Sequence, residues 1–187
     1  MTPDDQSLID ACLAGQTEAF GELVERYQDR VLHALTRMLG SYEDARDVAQ
    51  DAFVQAFRKL DTFRGESAFY SWLFRIAANK AISHMRKRKH RAASSLEAQD
   101  GFQPADPRED SSPTAELQRA ERRQLVRRAL DELHEDYRIV LVLKELEGLP
   151  YVEIAELIDC PIGTVRSRLH RARLELRRVL ERRVEDV

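Results

Sequence analysis

The sequence predicts an all-α protein: two small helical domains joined by a flexible linker, the C-terminal one a helix-turn-helix. Three observations carry this. Apolar residues recur every three or four positions through most of the chain, the period of an amphipathic helix. No strand candidate stands outside those helical runs. The periodicity breaks once, over a Pro- and Ser-rich stretch, and then resumes. A chain of 187 residues with 43% hydrophobic and 7% aromatic content makes one medium domain or two small ones with thin cores.

A short helix is expected near Ser7 to Ala14. After Thr17 the stripe Phe20, Leu23, Val24, Tyr27, Val31, Leu35 and Met38 marks a long amphipathic helix that stops at Gly40. Ser41 with Asp44 three residues on resembles a capping box, and Ala45, Val48, Ala49, Ala52, Phe53, Ala56, Phe57 and Leu60 form the buried face of the next helix. Its other face carries Asp44, Asp47, Gln50, Asp51 and Gln55. The run from Phe63 to Arg91 ends the first domain, 1–93. Residues 94–115, with Pro104, Pro107, Pro113 and an excess of acids, are too polar to hold one conformation and read as the linker. In the second domain, 116–187, Leu117, Leu125, Ala129, Leu130 and Leu133 mark one helix. Ile139, Val140, Leu143 and Leu146 mark another, closed by Gly148.

The formal charge of −3 hides a segregation of signs. Residues 1–66 hold thirteen acids against seven Lys and Arg, whereas Ser67 to Leu96 holds no acid at all. Cys12 and Cys160 are the only cysteines, and the five His do not fall at metal-ligand spacing, so neither zinc nor a disulfide framework is expected, nor any other cofactor. There is no Gly-rich phosphate loop, no HExxH and no nucleophile elbow, which argues against an enzyme. Without an 18-residue apolar run or a secretory signal the chain reads as cytoplasmic.

The segment Phe63 to Arg91 combines aromatic residues, a Gly-containing turn and a dense basic tail of Arg86, Lys87, Arg88, Lys89 and Arg91. Such a mixture suits single-stranded DNA: aromatic faces stack on unpaired bases while cations neutralise phosphates. Arg75, Asn79, Ser83 and Arg86 lie at four-, four- and three-residue spacing, so one helix face presents them together. Phe69, Trp72 and Leu73 share helical spacing with Ile76, which assigns Phe69 and Trp72 to the core and leaves Tyr70 towards DNA.

Near the C-terminus Pro150 opens a short helix with Val152, Ala155 and Ile158 three apart, and Asp159 and Cys160 turn the chain into Pro161. The following stripe, Ile162, Val165, Leu169, Ala172, Leu176 and Val179, fixes which residues point outward. In a helix-turn-helix the second helix enters the major groove. Its geometry nominates Arg166, Ser167, His170 and Arg171 for base edges, and Thr164, Arg168 and Arg173 for phosphates, although position alone does not separate the two roles.

The runs YEDARDVAQDAF, FRGESAFYSWLFRIAANKA and PYVEIAELIDCPIGTVRSRLHRAR together resemble those of extracytoplasmic-function sigma factors, the smallest class of the bacterial sigma-70 family, from about Phe20 to Leu180. The resemblance implies a non-enzymatic factor that directs core RNA polymerase to promoters and melts them, in a stress or envelope response. It implies that residues 1–93 are a region 2 domain and 116–187 a region 4 domain that reads the minus-thirty-five element. Asp47, Val48, Gln50, Asp51 and Val54 match the surface for the clamp helices of the largest polymerase subunit; the flap of the second-largest is a further expected partner. Arg64, Gly65, Glu66, Ser67 and Ala68 match the pocket for a flipped-out base, and Tyr70, Arg75, Asn79, Ser83 and Arg86 fall to the minus-ten strand. An anti-sigma factor is the common regulator in the family. The chain has no room for the family's third domain, and no sensory domain is expected after Val187. An ordinary helix-turn-helix repressor would account for residues 114–187 but leave the motifs at 41–91 without purpose.

Overall fold

The structure, a computed structural model, describes residues 4–94 and 124–185. The chain divides into two compact units, Met1–Ala98 and Gln99–Val187. Every regular element among the described residues is helical. From residue 95 onward the expected linker lies outside the described residues, as does Leu117.

In the first unit, α1 spans Asp5–Leu13 and is capped by Asp4, whose carboxylate accepts the Ser7 N–H at 2.7 Å. Bonding to Ser7 holds the Asp4 carboxyl below its usual range. Helix α2, Glu18–Leu39, ends where Gly40 turns left-handed at φ 71° and donates its N–H to the Thr36 carbonyl. Ser41 then caps α3, Tyr42–Arg58, by accepting the Asp44 N–H at 3.2 Å. A 3₁₀ turn, Leu60–Thr62, and an exposed loop lead into α4, Phe69–Ser94.

The core of this unit is built from Leu23, Val31, Leu35 and Met38 of α2, Phe53 of α3, and Phe69, Leu73 and Phe74 of α4. Ala45, Ala52 and Ala56 on α3 and Ala77, Ala78 and Ala81 on α4 are all fully buried, and the two helices pack together. Small side chains let these two backbones approach closely, which holds the α4 surface in register with that of α3. Leu8, Ile9 and Cys12 of α1 complete the burial, and desolvation raises the Cys12 thiol. One expected core position differs: Phe57 is exposed, edge-on to Phe20 at the rim. Leu60 is buried as expected, though from the 3₁₀ turn because α3 ends at Arg58.

In the second unit residues 124–131 are helical (α5) and bury Ala129 and Leu130. Helix α6, Glu135–Leu141, widens into a π turn, Val142–Leu146, and Gly148 (φ 72°) redirects the chain. Pro150 precedes α7, Tyr151–Ile158, and α8 runs Ile162–Glu185. Between them Asp159 adopts φ 55° and ψ 59°, a left-handed conformation that Asp tolerates better than a branched residue. The inward face of α7 is not the expected row. Ile154 is 0% exposed whereas Val152 is 57% exposed, and Ile162 at the start of α8 is also exposed. With only eight residues, α7 packs against α8 and the π turn and has a single buried side chain, Ile154. Leu146, expected within the previous stripe, is exposed because the π turn rotates it outward.

Candidate polymerase and nucleic-acid interfaces

Helix α3 presents its polar face as the sequence pattern requires. Asp47, Gln50 and Asp51 are exposed, and Val54 joins them at 46% exposure. Val48 does not. At 5% exposure it faces the core, since it sits one turn from Ala45 and Ala52 on the buried stripe, so its expected place on a partner surface is corrected. Val54 and the neighbouring Phe57 give the acidic face an apolar edge that the charge pattern alone did not reveal.

The positive charges of α4 divide by helical register. Lys80, His84 and Arg88, each four residues apart, turn towards α3: Lys80 Nζ lies 3.6 Å from Asp51, and His84 Nε2 and Arg88 Nη1 lie 3.4 and 3.5 Å from Asp44. Arg75, Asn79, Ser83 and Arg86 are exposed on another face. The structure therefore brings that predicted row together. Asn79 Nδ2 donates to the Arg75 carbonyl at 2.9 Å, which holds the amide on this face and leaves its second N–H and its Oδ1 for a base edge.

The loop before α4 exposes Arg64, Gly65, Glu66, Ser67 and Ala68, with Gly65 at φ 69° forming a left-handed turn closed to branched residues. Both of its ends are anchored in one aromatic cluster. Phe63 packs 5.7 Å from Phe69 and 5.4 Å from Trp72, and Tyr27 lies 5.6 Å from Phe69 and 5.9 Å from Tyr70. Phe69 takes its core place and Trp72 is half-buried. Tyr70 is the correction: it is 8% exposed, stacked on Phe74, with the Arg30 guanidinium 3.5 Å over its ring. Arg30 lies forty residues upstream on α2, so spacing within the motif could not expose this contact; Tyr70 directly follows the first buried residue of α4 and shares its inward side.

Tyr27 carries a second role. Its hydroxyl and the Arg26 guanidinium donate to the two oxygens of Asp5, each at 2.5 Å, tying α1 to α2. Burial, followed by the Asp5 hydrogen bond, pushes the Tyr27 phenol up to about 12.

On α8 the outward residues Arg166, Ser167, His170 and Arg171 are exposed together, and Arg166 lies 5.9 Å from the Tyr151 ring of α7. Ser167 donates to the Thr164 carbonyl at 3.0 Å, which fixes its hydroxyl near the helix start, and Thr164 is half-buried. Arg168 and Arg173, expected near phosphates, have carboxylate partners within the unit. Arg168 lies 3.3 Å from Asp136 of α6, and Arg173 Nε donates to Glu145 at 3.1 Å. Further along, Arg182 and Arg183 both reach Glu132 and lash α8 to the end of α5. Thus α8 carries exposed basic residues along its length, and Arg166 in its first turns lies beside α7. No helix among the described residues is long and apolar enough to cross a membrane.

Comparison with known proteins agrees with this two-unit arrangement. The Sigma-70 region 2 family matches residues 23–91 and the Sigma-70 region 4 family matches 123–176. The chain is 44% identical over 173 residues to the ECF RNA polymerase sigma-E factor of Escherichia coli strain K12, covering 90% of each protein. It is 41% identical over 181 residues to the RNA polymerase sigma-H factor of Pseudomonas aeruginosa, covering 95% of this chain and 94% of that one. Among solved structures it resembles the sigma factor RpoE of Bartonella quintana, crystallised with the anti-sigma factor NepR. That match has a TM-score of 0.65 and 27% identity, covering 87% of this chain and 96% of that one. CnrH in complex with the cytosolic domain of CnrY is similar at a TM-score of 0.55 and 27% identity, over 95% and 97% of the two chains.

Proposed function

The chain belongs to the sigma-70 family of RNA polymerase sigma factors, in its extracytoplasmic-function class, and from that premise we propose how its surfaces divide the work of initiation. It directs core RNA polymerase to specific promoters and promotes their melting, in a stress or envelope response. It carries no reaction of its own and works in the cytoplasm, where the polymerase is. Residues 1–93 form the core-binding and melting domain, 94–115 a linker, and 116–187 the domain that reads the upstream element.

The observation that carries this reading is the outward row Arg75, Asn79, Ser83 and Arg86 on an acid-free helix, immediately after an exposed loop anchored at both ends. Separated bases offer faces and edges to such a row, and phosphates offer charge. A base extruded from the stack must find a fitted pocket, because extrusion costs a few kcal/mol. Residues 64–68 supply that pocket. Asp47, Gln50, Asp51 and Val54 hold the clamp helices of the largest subunit, and the second unit lies near the flap of the second-largest. Arg166, Ser167, His170 and Arg171 read bases at the minus-thirty-five element, with Thr164 beside the backbone. Arg168 and Arg173 brace α8 against α6 and the π turn and reach phosphates only by leaving Asp136 and Glu145. Because the RpoE sigma factor it resembles is solved in complex with the anti-sigma factor NepR, an anti-sigma factor is the regulator we infer here.

The test is in vitro transcription with core enzyme over a genomic library, followed by mapping of start sites. Defined starts sharing two spaced elements are expected. Comigration of the protein with core without any change in the starts selected would overturn the promoter-reading assignment.

A further inference from the structure

Helix α1 precedes the residues matched by the region 2 family, 23–91, yet it is the element set against the loop 64–68. Gln6 Oε1 stands 3.7 Å from where a Cβ on Gly65 would sit, and its Nε2 is held by Asp10 Oδ1 at 2.8 Å, one turn further on. Asp5, the neighbour of Gln6, grips the Tyr27 hydroxyl at 2.5 Å. The Tyr27 ring in turn packs on Phe69 and Tyr70, the first two residues of α4, where the loop ends. Phe63, the residue before the loop, packs on the same Phe69. So α1 meets the loop directly at its left-handed turn through Gln6, and reaches its downstream anchor indirectly, through the Asp5 bond to Tyr27 of α2.

We propose that α1 is a wall of the base-capture loop, in which Gln6 and the Asp5–Tyr27 pair are positioning residues that set how well the loop discriminates the extruded base. This rests on reading residues 64–68 as the pocket. A site that must outweigh the cost of extrusion depends on being held within a fraction of an ångström by packing and hydrogen bonds behind it. Asp5 supplies such a bond: it is charge-assisted, shared with Arg26, and directed at the one hydroxyl whose ring meets both anchor residues. Gln6, pinned by Asp10, limits how far the Gly65 backbone can swing outward.

The experiment uses holoenzyme assembled from core polymerase and the full chain, on promoter fragments carrying the cognate base or an abasic site at each minus-ten position of the non-template strand. The readout is the ratio of opening rates, cognate over abasic, at the position where wild type shows the largest ratio. Tyr27→Phe and Gln6→Ala are expected to lower that ratio about three- to tenfold, the loss of one hydrogen bond, with core affinity and the upstream footprint unchanged. Gly65→Val, which cannot keep the left-handed turn, is the loop's own control and should lower it as well. If Gly65→Val lowers the ratio but Tyr27→Phe and Gln6→Ala leave it unchanged, the loop reading stands and the role of α1 is refuted. An equal slowing on cognate and abasic templates refutes it too, since that marks a merely structural contact. If wild type shows no such ratio at any position, or Gly65→Val does not change it, the loop reading and this inference fall together.

Discussion

Tyr70 lies inside the segment we propose to handle DNA but is buried, and the two locations predict opposite mutant behaviour. Its ring is 8% exposed between Tyr27, Phe74 and the Arg30 guanidinium. Truncating a buried aromatic side chain to Ala costs about 3–5 kcal/mol. For a unit of this size each kcal/mol shifts the melting temperature by about 4–8 °C, so Tyr70→Ala should lower it by on the order of 15 °C or more. Tyr70→Phe keeps the ring beneath Arg30 and removes only the hydroxyl, which costs about 1 kcal/mol. The assay pairs a circular-dichroism melt with permanganate reactivity of the minus-ten thymines. Tyr70→Phe should open promoters at the wild-type rate, and Tyr70→Ala should fail through unfolding, visible in the melt first. A Tyr70→Ala protein that melts within about 2 °C of wild type yet opens DNA slowly would put the ring against DNA and refute the burial argument.

Asp47→Arg and Asp51→Arg reverse charge on an exposed face and should lower affinity for core polymerase while helicity is kept, whereas Val48→Ala, on the buried side, should cost about 1 kcal/mol of stability and leave core affinity intact. Sedimentation with core and chemical denaturation separate these outcomes. Arg171→Ala should cost about 1–3 kcal/mol at cognate upstream elements and relax selectivity at one or two positions in footprinting, with opening preserved once bound. Asn79→Ala should do the reverse, with intact upstream protection and slower opening; unchanged opening kinetics would remove Asn79 from the minus-ten surface. The Tyr27 phenol titrates near 10 when unfolded and at about 12 when folded, so its contribution to stability is complete below about pH 10 and is lost as pH rises through 12. Stability measured across that window should fall less steeply in Tyr27→Phe.

Most of the fold was legible because its helices announce themselves by period and punctuation. Gly40 ends α2 in the left-handed turn that its position suggested, and Ser41 caps α3 through the Asp44 N–H. The outward rows of α4 and α8 followed from the same arithmetic. Errors arose where a helix is short or where a distant residue decides. In α7 a three-residue period allowed Val152, Ala155 and Ile158, but eight residues fit several faces, and it is Ile154 that is buried. Val48 was placed on two faces at once, and its 5% exposure in the packed unit decides for the inward one. The roles of Arg30, Asp5 and Tyr27 depend on contacts spanning 22 to 43 positions, which no local pattern encodes. The ion pairs of Arg168 and Arg173 with Asp136 and Glu145 were likewise not legible, because the partners are 28 to 32 residues apart.

The central claim is that this chain makes polymerase open promoters without performing chemistry itself. Permanganate mapping of the non-template strand on a linear promoter fragment, with core alone, the chain alone and the two combined, tests it most directly. Reactive minus-ten thymines are expected only in the combination, without any need for hydrolysable ATP. Opening by the chain alone, a requirement for ATP hydrolysis, or no opening in the combined reaction on fragments that hold its mapped start sites would contradict the account.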